Sequence, residues 1–96
     1  MHGEYKTPGG KLVVVDFDVV SRRLANVRVT GDFFVYPEES YPSLQESLDG
    51  MLTGTSESAI AELVRKAIPN DTELLGTSPQ GIAIAIRRAL ETEAGD

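Results

Sequence analysis

The apolar residues of this chain change their spacing once, and that change limits the folds open to it. From Leu12 to Val20, the residues Val13, Val15, Phe17 and Val19 fall on every second position, the period of a strand with one buried face. Leu12 and Val14 on the other face imply cover on both sides at the start of the strand, and Asp16 and Asp18 mark where that second face meets water. After the polar break "SRR" at 21–23, Ala25, Val27 and Val29 alternate with Asn26, Arg28 and Thr30, which predicts a second strand and an antiparallel hairpin. Upstream, "GEYK" at 3–6 is long enough to add a short edge strand. "FFVYP" at 33–37 resumes an extended run after a bulge or bend at Gly31, and it ends at Pro37, which has no amide to donate to a ladder.

Beyond residue 40 the period becomes helical. Ser40 or Tyr41 precedes Pro42, a residue suited to a first helical turn, and Leu44, Leu48, Met51 and Leu52 follow at helical spacing, with Gly50 and Gly54 limiting this helix to about three turns. A second helix is capped at Ser56 and presents Ile60, Leu63, Val64, Ala67 and Ile68 on one face before Pro69, with Glu62, Arg65 and Lys66 opposite. The connection "PNDTELLGT" at 69–77 is expected to plug the core with Leu74 and Leu75. Thr77 or Ser78 then caps a third helix, with Pro79 in its first turn and Ile82, Ala85, Ile86, Ala89 and Leu90 as its buried stripe. Ile84 lies off that stripe, and the tail "ETEAGD" is expected to fray. A three-stranded antiparallel meander followed by about three helices on one face is the α+β class. The length of 96 residues favours one domain over residues 1–96.

Composition narrows the chemistry. With 41% hydrophobic and 25% charged residues the chain is an ordinary globular protein. No apolar stretch approaches the roughly 20 residues of a membrane span and there is no secretory signal, so the expected location is cytoplasmic. The absence of cysteine excludes disulfides, thiolate nucleophiles and cysteine-ligated metal. The single histidine, His2, is expected in a frayed terminus rather than at a metal. Net charge is +2 over residues 1–30 and −8 over residues 31–96, so the larger part should repel nucleic acid and anionic membranes. The acid pairs Asp16/Asp18 and Glu38/Glu39 read as solvated charges, and no catalytic cluster is visible.

One motif stays open. "KTPGGK" at 6–11 is not a Walker A loop, because Lys11 is followed by Leu12 and a strand instead of a Ser or Thr and a helix. Pro8, Gly9 and Gly10 are fully explained as a tight turn, but such a turn between two ammonium groups would also suit a phosphate or adenylate carried by another domain. "GDFF" at 31–34 reads as a bend in which Asp32 bonds nearby backbone and Phe33 and Phe34 point to opposite sides, one into the core.

In combination, "KTPGGKLVVVDFDV" and "LANVRVTGDFFVYPEE", with a helical remainder ending in "GIAIAIRRAL", resemble the small accessory domain of lipoate protein ligases. In that family the large domain holds lipoate and MgATP, forms lipoyl-adenylate and passes the lipoyl group to a lysine of an acceptor domain, while the small domain serves chiefly the adenylate-forming step. The resemblance implies that Lys6, Gly9, Gly10 and Lys11 lie on the edge facing a catalytic partner, and that Gly31, Asp32 and Phe33 shape the domain or its contact surface. It further implies a stand-alone small subunit that binds no cofactor and performs no catalysis alone, partnered by the catalytic subunit and transiently by lipoyl acceptor domains. The alternative is a non-catalytic module that recruits acceptor domains or stabilises a partner. The resemblance also extends to the fold of sulfur-transfer and iron-sulfur scaffold proteins, whose chemistry the missing cysteines rule out here.

Overall fold

A computed structural model describes residues 1–68 and 72–94. Strands β1 (His2–Lys6), β2 (Leu12–Val20) and β3 (Arg23–Gly31) form an antiparallel sheet in the order β1-β2-β3. Strand β4 (Phe34–Tyr36), a 3₁₀ turn (Glu38–Ser40) and helices α1 (Tyr41–Glu46) and α2 (Glu57–Ala67) follow, then β5 (Glu73–Leu75) and α3 (Pro79–Ala94). The expected α+β meander with three helices is therefore present. No helix among the described residues is long and apolar enough to cross a membrane.

The alternation in β2 buries Val13, Val15 and Phe17 against Ile82, Ala85, Ile86 and Ala89 of α3 and Ile60 and Val64 of α2 in one core. Helix α3 lies across β1 and β2, with the Arg88 guanidinium 4.9 Å from the centroid of the Tyr5 ring. The β2–β3 connection has only two residues, Ser21 and Arg22, with φ of 52° and 66°. Those left-handed values match the primed two-residue hairpin turn, whose twist agrees with that of its strands.

Strand β3 departs from its expected pattern for a local reason. Asn26 and Val27 together face Phe17, and Asn26 takes φ 55° while its amide donates to Asp18 at 3.0 Å. This bulge shifts the buried set by one position, so Leu24 rather than Ala25 joins Val27 and Val29 in the core.

Three further expectations are corrected. The first helix stops at Glu46 instead of running three turns, because the chain after it is drawn to the free edge of β3. The Gly50 amide donates to the Leu24 carbonyl at 2.7 Å, the Leu24 amide to Met51 at 2.9 Å and the Thr53 amide to Arg22 at 3.0 Å, leaving Leu52 exposed. In α2 the buried stripe runs through Ile60, Ala61 and Val64, a face rotated away from the exposed Leu63. Residues 73–75 are a strand paired with β4, which leaves Leu74 half-buried on the core and Leu75 exposed. The expected stop at Pro69 and the end of the tail at Gly95 and Asp96 lie outside the described residues.

His2 is not frayed. Its ring belongs to β1 and bonds Asp16 through Nδ1 at 2.8 Å and Glu4 through Nε2 at 2.7 Å, while the terminal amino group donates to the Phe17 carbonyl. The hydrogen bond to Glu4, then that to Asp16, raises the imidazole pKa above its ordinary 6.5.

Candidate functional site

The turn between β1 and β2 is built as its residues dictate. Pro8 and Gly9, the latter with φ 70°, occupy the two central positions, and the Gly10 amide closes the turn on the Thr7 carbonyl at 2.8 Å. The Thr7 amide donates to the Lys11 carbonyl at 3.1 Å. Lys6 and Lys11 are exposed on either side, and neither forms an ion pair with any described residue.

A second segment holds this turn from outside. The Lys11 amide donates to the Gly76 carbonyl at 2.8 Å, and the hydroxyls of Thr7 and Thr77 meet at 3.1 Å. A Cβ at Gly10 would lie 2.5 Å from the Gly76 carbonyl oxygen, so the two backbones touch only because no side chain separates them. Gly76 leads directly into α3, where the Ser78 hydroxyl accepts from the Gly81 amide at 3.1 Å and caps the helix. The lysine-bearing turn is thus tied at both ends, to the sheet and to the helix entry.

The "GDFF" segment reaches the same corner. The Asp32 amide donates to the Leu12 carbonyl at 3.1 Å, and a Cβ on Gly31, whose φ is 137°, would stand 2.2 Å from that carbonyl oxygen. Only glycine fits there. Phe33 turns inward and is buried, with its Cα 3.4 Å from the position a Gly76 Cβ would take, while Phe34 turns out. The structure therefore brings together Lys6, Pro8, Gly9, Gly10, Lys11, Gly31, Asp32, Phe33 and Phe34, nine residues drawn from two motifs about twenty positions apart. The Asp32 carboxylate is exposed; it is the backbone amide of this residue that makes the local bond.

Sequence reasoning missed the third member of the corner, Gly76 and Thr77, and an apolar face beside it. Phe34 pairs directly with Leu75, and Tyr36 with Glu73, so these four side chains share one side of the β4–β5 ribbon. Phe34 is 70% exposed, Tyr36 67% and Leu75 50%. They border an open groove of about 750 Å³ closed by Tyr41, Pro42 and Glu38. Burial raises the Tyr41 phenol pKa above its ordinary value. The available signal was "LLGTSPQG", in which a glycine stands between a leucine pair and a helix cap.

Chemically, the corner offers two ammonium groups on a fixed backbone next to an apolar face. It contains no nucleophile beside a base, and no three His, Cys, Asp or Glu side chains among the described residues are grouped to hold a metal ion. Such a surface can bind and position a group held by another molecule.

No family model matches the chain. Lipoate-protein ligase A subunit 2 of Thermoplasma acidophilum is 29% identical over 76 residues, which span 79% of this chain and 77% of that protein. In fold, the chain is similar to a solved structure from the same organism, described as an archaeal lipoylation system with a bi-partite lipoate protein ligase and its E2 lipoyl domain. The TM-score is 0.73 at 24% identity, covering 91% of this chain and 93% of that one. The chain is thus similar in sequence to the second subunit of a lipoate protein ligase, the resemblance that its two motifs led us to expect.

Proposed function

We propose that the chain is the accessory subunit of a two-part lipoate protein ligase, working with a catalytic subunit in the ATP-dependent activation of lipoate to lipoyl-adenylate before transfer to an acceptor lysine. The observation that carries this reading is the match over 79% of the chain to a ligase's second subunit, together with a lysine-flanked turn held rigid by its neighbours. Lipoate and MgATP are held by the catalytic subunit, and the reaction takes place in the cytoplasm.

In this reading Lys6 and Lys11 approach the phosphate as the small subunit closes over the site. An ammonium about 4 Å from a phosphate oxygen is worth about 4 kcal/mol at the effective dielectric of a protein surface, and more as water is expelled. Gly9 and Gly10 let the backbone come close, and the bonds to Gly76 and Thr77 fix the turn beforehand, so little ordering is required at the moment of reaction.

Lipoate-dependent ATP/pyrophosphate exchange tests this. The cognate catalytic subunit is assayed alone, with this chain, and with its Lys6→Ala/Lys11→Ala form. Exchange should depend on the chain and fall about tenfold or more with the double variant, since each 1.4 kcal/mol of lost transition-state stabilisation is a factor of ten. Exchange that proceeds equally without the chain overturns the reading and leaves recruitment of acceptor domains as its role.

A further inference from the structure

Among the described residues, none covers the apolar side of the β4–β5 ribbon. Phe34, Tyr36 and Leu75 are all at least half exposed and adjoin one another, whereas scattered apolar surface residues are the norm. Large aromatic anchors beside an aliphatic residue, next to a groove of about 750 Å³, have the composition of an interface centre. The rim is acidic: Glu73 stands opposite Tyr36 on the same side of the ribbon, and Glu38 lines the groove.

That rim decides among occupants. A second copy would set the same acids against each other, and each chain already carries a net charge of −6. Nucleic acid and an anionic bilayer are repelled by the same charges. What remains complementary is a protein surface with an apolar centre ringed by lysine or arginine. The ribbon also adjoins the proposed active corner, because Leu75 is bonded to Gly76, which receives the Lys11 amide.

We infer that the Phe34–Tyr36–Leu75 face is the docking surface for the catalytic subunit, and that the partner presents to it an apolar projection flanked by basic side chains. The inference rests on the reading of this chain as an accessory subunit and adds the place of contact. One subunit interaction then fixes the position of the lysine turn, since the anchor residues and the turn share the Gly76 junction.

The test is calorimetric titration of the intact chain into the cognate catalytic subunit at low and high salt, with pyrophosphate exchange measured against subunit concentration. Phe34→Ser/Leu75→Ser should raise the dissociation constant at least about tenfold, as loss of central anchors does, and shift the exchange curve to higher concentration. Glu38→Lys/Glu73→Lys, which removes no buried side chain, should weaken binding several-fold and reduce its salt dependence. Tight binding by both variants alongside normal stimulation by the wild type overturns the docking surface and leaves the accessory role standing. A wild-type chain that neither binds nor stimulates the catalytic subunit overturns both. Self-association of the wild type abolished by Phe34→Ser/Leu75→Ser overturns the inference in favour of a homodimer face.

Discussion

His2 shows how a single side chain acquires a pH response from its register. Strand pairing sets it opposite Asp16, and the period of two sets Glu4 on the same side, so both ring nitrogens meet carboxylates. The folded pKa is therefore raised, first by Glu4 and then by Asp16. A raised folded value means that the contribution is complete below the unfolded value of about 6.5 and fades as pH rises through the higher folded one. A proton NMR titration should place the His2 midpoint above 6.5 and return it towards 6.5 in Glu4→Gln/Asp16→Asn. A wild-type midpoint at or below 6.5 would show that the two contacts do not persist in solution. Residue by residue, legibility in the sequence followed how local the cause was. Pro8 and Gly9 announce a turn from their own torsional limits. Gly10, by contrast, must lack a side chain because of the Gly76 carbonyl, sixty-six positions later, and nothing in the local sequence of either residue reveals that approach. Phe34 was correctly expected to oppose Phe33, yet its exposure depends on β5, a partner too short to register as a periodic segment.

Among the elements, the segment after α1 illustrates a tertiary demand overriding helical spacing. Strand β3 ends the sheet, and an unpaired strand edge invites association with other chains. Here the Gln45 side-chain oxygen accepts the Val29 amide at 2.8 Å, and an Asp49 carboxylate oxygen accepts the Val27 amide at 2.9 Å. Leu44, Leu48 and Met51 are buried as expected, but the backbone between them changes course to seal the edge, which hydrophobic spacing alone does not encode. Removing both side chains in Gln45→Ala/Asp49→Ala leaves two amides of the edge without partners, at a cost of about 1–3 kcal/mol each. The expected signature is faster hydrogen exchange at Val27 and Val29, with Val13 and Val15 in β2 little changed relative to global stability. Unaltered protection at Val27 and Val29 would show that the flanking backbone bonds suffice.

At the scale of the molecule, the meander, the β4–β5 ribbon and the helices draw on one set of buried side chains, with Phe33 and Val35 in the same cluster as Val15, Ile60 and Ile86. One core implies one cooperative transition. Ile86→Ala, at a fully buried site, should cost about 2–5 kcal/mol and lower the melting temperature equally for far-ultraviolet dichroism and for Phe33 resonances. Separate transitions for the two probes would divide the chain into independent units. The class of fold could be read from the change of period, and the lysine turn and "GDFF" from their residues. What could not be read was their meeting at Gly76, because long-range closure is decided by packing. The two-residue hairpin at Ser21 and Arg22 has a practical consequence. Strand β2 separates it from the Lys6–Lys11 turn by nine residues, roughly 30 Å at strand rise, so the hairpin lies at the opposite end of the sheet. Because the chain contains no cysteine, Arg22→Cys would carry its sole thiol. A fluorophore there would report the approach of the proposed catalytic subunit by energy transfer, while leaving the lysine turn and the apolar ribbon free of the dye.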